Sequence, residues 1–132
     1  MLQAGQRGAV FVAIEAEDDA DRAVTYYAQL LLGFVGTYLG KPQELCYVRW
    51  LHTASAVAAQ EGRALTPAET RGPFECYRWA IYPRARAGHP AAGSAWYGVV
   101  HVSAVMWRVH MVASMHDEAL FRLNTDVWLA NL

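Results

Sequence analysis

The chain has few charged residues, and almost all of its basic residues are arginine. Charged residues make up 17% of the 132 residues, against ~25% in an average globular domain, and the net charge is −1. Ten of the eleven basic residues are arginine, and Lys41 is the only lysine. Proteins that bind nucleic acid through phosphates carry a basic excess, so this balance predicts weak or no nucleic-acid binding. An apolar content of 55% excludes a disordered chain.

Signals for membranes, metals and cofactors are also missing from the sequence. No segment reaches the ~20 apolar residues of a membrane helix, and the N-terminus lacks the pattern of a secretory signal, so we expect no membrane partner. The two cysteines, Cys46 and Cys76, show no zinc-finger spacing and lie among apolar neighbours. We interpret them as buried thiols, and a disulfide between adjacent strands is the alternative. Glycine-rich phosphate loops and metalloprotease motifs do not occur, so we predict no cofactor and no metal.

Short segments with strand periodicity follow one another along the chain. They cover residues 8–16, 24–39, 45–52, 74–82, 96–102, 106–113 and 120–123. The segment 24–39 is long for a strand, and Gly33 and Gly36 within it predict a bend. A turn over 40–44 is predicted to join it to the next strand as a hairpin.

The connection over 53–73 has a different composition and predicts short helical turns. An alanine-rich stretch over 54–62 ends at a glycine, and Thr66, Pro67 and Glu69 have the spacing of a capped helix start. Residues 83–95 predict a second long, exposed loop, which contains Arg84 and Arg86. A brief C-terminal helix capped at Thr125 or Asp126 is a further expectation.

Together these elements predict one mainly all-β domain over residues 8–128, with residues 1–7 as a flexible N-terminus. Several short strands in hairpin order with little helix are typical of a barrel or a sandwich. We favour a small antiparallel β-barrel of six or seven strands, because a long bent strand suits a closed, curved sheet. The short ends lead us to expect a domain of a larger protein.

Four strings of residues resemble a known family. They are Glu44–Trp50 (ELCYVRW), Tyr77–Trp79 (YRW), Tyr97–Val105 (YGVVHVSAV) and Leu120–Asn124 (LFRLN). Their order resembles the bromo-adjacent homology (BAH) domain, a small β-barrel of chromatin proteins, and also the β-rich domain of plant and algal transposase-like proteins. The chain departs from the BAH pattern after Trp50, where the alanine-rich stretch replaces an acidic–aromatic segment. The resemblance implies a nuclear, chromatin-associated module that binds a protein or a histone tail.

The aromatic residues provide the candidate binding site, since the chain holds five tryptophans and seven tyrosines. Most of these rings are expected to fill the core of a small barrel. Two or three of them converging at one end would form a contact surface or a cage for a methylated lysine, or would stack nucleobases. The candidates for partner contact are Trp50, Tyr77, Trp79 and Tyr97. Arg84 and Arg86 are candidates for a loop contact with nucleic acid.

Catalysis finds little support in the sequence, so we predict a non-catalytic interaction module. His101 and His110 lie on separate predicted strands, and a metal site there lacks an evident third ligand. A small hydrolase-type enzyme using His101 with Ser103 and Asp117, or His110 with Cys76, is an alternative, although neither set lies in a nucleophile elbow. A second alternative is a degenerate mobile-element fragment with no retained activity.

Overall fold

The computed structural model describes residues 8–72, 74–83 and 88–124. Its strands are β1 (Val10–Glu17), β2 (Ala23–Tyr38), β3 (Lys41–Thr53), β4 (Cys76–Trp79), β5 (Tyr97–His101), β6 (Val105–Val109), β7 (Met111–Ala113) and β8 (Leu120–Leu123). Helices α1 (Ala54–Glu61) and α2 (Pro67–Thr70) and a 3-10 turn (Val102–Ala104) complete the described elements. Arg84, Arg86 and the predicted C-terminal helix lie outside the described residues.

The described strand pairs are antiparallel, which confirms the mainly β, antiparallel prediction. The described residues form eight strands rather than six or seven. The extra one arises because the predicted strand 106–113 is two strands separated by His110. Val109 pairs with Phe11 of β1, whereas Met111 pairs with Leu123 of β8. Chain contacts divide the molecule into a first unit, within residues 1–50 and 97–109, and a second unit, within residues 51–96 and 110–132.

The first unit is built on five strands in the order β6–β1–β2–β3–β5. A flat sheet would place its first and fifth strands about 19 Å apart. The 3-10 turn, however, links β5 to β6 through three residues, so His101 and Val105 are at most about 14 Å apart. The sheet must therefore curl around its core, which consists of Val12, Ile14, Ala28, Cys46 and Val48. No described strand pairing closes the curl, so the barrel stays a prediction.

The β2–β3 hairpin turns at Leu39 and Gly40, whose φ angles are 52° and 76°. Positive φ at two successive residues is the pattern of a two-residue type I′ turn, which matches the twist of the paired strands. The predicted turn over 40–44 is therefore wrong, since β3 already begins at Lys41. Strand β2 runs unbroken through both of its glycines. At Gly36 a Cβ atom would lie 2.9 Å from Leu45 Cδ1, so glycine permits this close contact.

In the second unit, the order of strands is β3–β4–β8–β7, with Leu51–Thr53 of β3 pairing with β4. The predicted helix over 54–62 is confirmed: α1 ends at Gly62, which adopts a left-handed conformation. The capped helix start is confirmed as well, because Thr66 and Glu69 form a complete capping box on α2. Buried Ala54, Cys76 and Leu120 form the core of this unit.

Candidate interaction surface

One face of the paired strands β3 and β5 carries exposed aromatic side chains. The register places Leu45 opposite His101, Tyr47 opposite Val99, and Arg49 opposite Tyr97. These six side chains share one face because alternate residues of a strand point to the same side. We call this surface the tyrosine face. The opposite side of the two strands carries the core residues Cys46 and Val48.

Tyr47 and Tyr97 stack on each other at the tyrosine face. Their ring centroids are 5.6 Å apart and their planes differ by 10°. The Arg49 guanidinium carbon lies 5.8 Å from the Tyr97 centroid, within the range of a cation–π contact. Tyr47 is 36% exposed, Tyr97 is 42% exposed and Val99 is 55% exposed. The two rings are thus held in place by neighbours while their outer surfaces remain open to a partner.

Trp50, a predicted contact residue, packs toward the core of the first unit instead. Its ring meets Tyr26 edge-on at 6.1 Å between centroids. A Cβ atom at Gly98 would lie 2.5 Å from Trp50 Nε1, so the indole lies directly against the glycine backbone. Trp50 belongs to the opposite side of β3 from Tyr47 and Arg49, since it has the strand parity of Val48.

The other two predicted contact residues, Tyr77 and Trp79, lie in the second unit. Trp79 pairs across the sheet with Leu51 and meets Phe121 edge-on at 5.1 Å, which makes it a packing residue. Tyr77 lines an open cleft of about 360 Å³ together with Phe74, Glu75 and Arg122. The four predicted aromatic residues are therefore divided two and two between the units.

A buried charge network in the second unit was not predicted from the sequence. The Glu69 side chain is completely buried, and its carboxylate accepts hydrogen bonds from Arg63 at 2.8 and 3.0 Å and from Arg78. Arg78 also donates to Asp117 at 2.8 Å. The hydrogen bonds from Arg63 hold the pKa of the Glu69 carboxyl far below its usual range, and the hydrogen bond from Arg78 lowers the pKa of Asp117.

This network forms a structural clamp within the second unit. Each charge is matched by an opposite one, and the Thr66 amide also donates to Glu69 at 2.8 Å. It fixes the connection around α2 against strand β4, which carries Arg78. The capping-box spacing predicted the position of Glu69 at the start of α2. It did not predict the ion pairs, because Arg63, Arg78 and Asp117 are far apart in the sequence and meet only in the folded chain.

Neither histidine of the enzyme hypothesis lies in a described cleft. His101 Nδ1 lies 2.8 Å from Ser103 Oγ and 3.1 Å from the Ser103 amide, which is the geometry of a cap on the 3-10 turn. His110 contacts Asn124 at 3.0 Å. Both histidines are exposed, and they lie in different units. The catalytic alternative gains no oxyanion site from these contacts and stays a prediction.

The cysteines have the environment of inert thiols. Both are free and buried, and Cys76 Sγ donates to the Glu69 carbonyl at 3.3 Å. Burial raises the pKa of the Cys76 thiol, which is the opposite of the shift that activates a nucleophilic cysteine. Within residues 8–72, 74–83 and 88–124, no cluster of three metal-ligating side chains occurs. The helices of the described chain are all too short to span a bilayer.

Comparison with known proteins adds no relative to this description. No family model matches the sequence, and neither the curated proteins nor the solved structures contain a significant match.

Proposed function

We propose that this chain is a non-catalytic interaction module that binds a protein or peptide through the tyrosine face. The observation that carries the proposal is the stacked and partly exposed pair Tyr47 and Tyr97, with Arg49 beside it. Tyrosine and arginine are among the residue types most enriched where binding energy is concentrated. An aromatic pair fixed by its neighbours loses little side-chain entropy when a partner arrives.

The exposed residues of this face favour a flat contact with apolar side chains. Tyr47, Tyr97 and Val99 provide the apolar area, and Arg49 is the one arginine among the six residues. A methyl-lysine cage would need rings arranged around a pocket, whereas Tyr47 and Tyr97 lie parallel to each other. Trp50 and Trp79 are partly buried by packing within their units, so we place neither in the contact.

The resemblance to BAH domains makes a histone tail the first peptide class to test, and it places the module in the nucleus. Nucleic acid is the weaker candidate because the net charge is −1 and one arginine gives few phosphate contacts. The transposase-like resemblance adds the hypothesis that the module is part of a transposase-derived protein. If the chain binds no peptide and no DNA, the result would support the alternative of a degenerate mobile-element fragment with no retained activity.

The test is a binding screen of the full chain against histone-tail peptides and a DNA duplex at low and moderate salt. We expect micromolar binding to at least one peptide, little changed by salt, and no salt-resistant DNA binding. Tyr97→Ala should weaken peptide binding at least tenfold, whereas Tyr97→Phe keeps the stacked ring and should bind normally. Met115→Ala is the matched control, because Met115 is 94% exposed and lies in the other unit.

Two results would overturn the proposal. One is the absence of binding to any peptide, and the other is peptide binding that Tyr97→Ala leaves unchanged. Thermal melting of each variant separates a lost contact from a lost fold.

A further inference from the structure

The outer half of strand β2 has an unpaired backbone edge in the described structure. Strand β1 pairs with β2 from Ala23 to Leu30, where Val10 is the last partner. Residues 31–38 of β2 continue as strand beyond that point. Within residues 8–72, 74–83 and 88–124, no strand pairs with this part of β2 on the β1 side. Among the described residues, no strand is paired with its backbone N–H and C=O groups on that side, and such an edge is a template for another strand.

The same segment exposes apolar side chains on both of its faces. Leu31 and Val35 point to one face and are 41% and 69% exposed. Leu32, Phe34 and Tyr38 point to the other and are 57%, 36% and 66% exposed. Soluble β-proteins usually protect such edges with lysine, proline or a bulge. Residues 23–40 contain no charged residue and no proline, so the first two protections are missing here.

The hairpin turn next to this edge adds a second observation. Leu39 adopts a φ of 52° and is 83% exposed. Type I′ turns favour asparagine or glycine at such positions, because they tolerate positive φ without a steric penalty. Leu39 therefore combines an unfavourable φ with an exposed side chain, and this side chain extends the apolar surface of the hairpin.

We propose that this edge is the interface of a two-fold symmetric dimer, in which β2 pairs antiparallel with β2 of a second copy. An uncharged edge needs an uncharged partner of equal length, and a second copy supplies both. The exposed fractions of these six apolar side chains correspond to roughly 600 Å² per chain. Because these side chains lie on both faces of β2, pairing at the edge buries part of this area, which places the interface below the ~800 Å² per partner of a standard one. Backbone hydrogen bonds between the two strands add to that contact.

The two-fold arrangement limits assembly through this edge to two copies. The other edge of the hairpin's β3 strand is occupied by β5 between Leu45 and Arg49. Pairing β2 with β2 covers the edge of residues 31–38 in each copy, and an isologous contact closes on itself. The tyrosine face adjoins this surface, since Leu45 lies against Gly36 of β2. Val35 points to the opposite face of β2, so its substitution tests the dimer without changing the tyrosine face.

Sedimentation velocity and light scattering on the full chain test the dimer. The wild-type chain should have twice its 14.7 kDa mass at micromolar concentration. Val35→Lys places a charge on the edge and should raise the dimer dissociation constant at least a hundredfold. Leu39→Asn relieves the strained turn and should raise that constant about tenfold while leaving the melting temperature of the monomer unchanged or higher.

Met115→Lys is the matched control for an exposed apolar side chain and should remain dimeric. A wild-type chain that stays monomeric at about 200 µM would overturn the proposal. The strand paired with the β2 edge would then have to come from another protein or from residues 1–7. A Val35→Lys variant that dimerises normally, or a mass larger than a dimer, would also overturn the proposal.

Discussion

The Glu69 carboxylate is hydrogen-bonded to the Arg78 guanidinium, and this pair lies inside the second unit with Glu69 completely buried and Arg78 16% exposed. The two residues are nine positions apart and come from α2 and β4. A buried carboxylate is tolerated only where its charge and its hydrogen bonds are compensated, and Arg63 completes that compensation.

Removing this carboxylate should strongly destabilise the second unit. Glu69→Ala leaves Arg63 and Arg78 without their buried partner, so we expect a loss of about 3–5 kcal/mol in the free energy of unfolding. Urea denaturation followed by circular dichroism measures it. Glu61→Ala is the matched control, because Glu61 also pairs with Arg63 but is 43% exposed, and it should cost less than about 1 kcal/mol. Equal effects of the two variants would contradict the clamp.

The same network should make the protein sensitive to acid. Hydrogen bonds from Arg63 lower the pKa of Glu69, and those from Arg78 lower the pKa of Asp117. Since the folded pKa values lie below the unfolded ones, the unfolded chain takes up protons first as the pH falls. The stabilisation is therefore complete at neutral pH and declines below the ordinary values of 4.5 and 3.8. Thermal melts between neutral pH and about pH 3 should show this decline, and Glu69→Gln should reduce it.

Gly98 should tolerate no side chain, because Trp50 occupies the space beside it. The Cβ of an alanine would lie 2.5 Å from Trp50 Nε1 and 3.2 Å from Cε2, so the indole must move. We expect Gly98→Ala to cost about 1–3 kcal/mol and to change the near-UV circular dichroism of tryptophan. Gly33→Ala is the control, since nothing lies within 4 Å of its added Cβ. An unchanged spectrum for Gly98→Ala would contradict the packing of Trp50.

Both thiols should be unreactive while the protein is folded. Cys46 and Cys76 are buried, and burial raises the pKa of Cys76. Titration with a disulfide reagent should detect neither thiol in the native chain and both in guanidinium chloride. Rapid native reaction of Cys76 would contradict its burial and would reopen the catalytic alternative.

Strand periodicity and capping chemistry predicted the elements well because both are local. Strand periodicity over 45–52 places Cys46 and Val48 on one face and Tyr47 and Arg49 on the other, and β3 has this arrangement. The spacing of Thr66 and Glu69 predicted the start of α2. These signals need only neighbours along the chain.

The remaining features depend on tertiary contacts that the sequence does not display. The hairpin turn was misplaced because Lys41–Glu44 has a turn-like composition, whereas Leu39 adopts positive φ against its preference. The run 106–113 has one periodicity but two sets of partners, which divide at His110. The spacing of the aromatic residues also did not predict which of them are exposed. Trp50 packs against the core of its unit, whereas Tyr97 is exposed.

The central claim is that the tyrosine face binds a peptide. The most direct test is amide chemical-shift mapping of the full chain with a peptide from the binding screen. The account predicts shift changes concentrated in Leu45–Arg49 and Tyr97–His101, and their loss in Tyr97→Ala. Shift changes confined to the cleft around Tyr77 and Phe74, or unchanged by Tyr97→Ala, would contradict it.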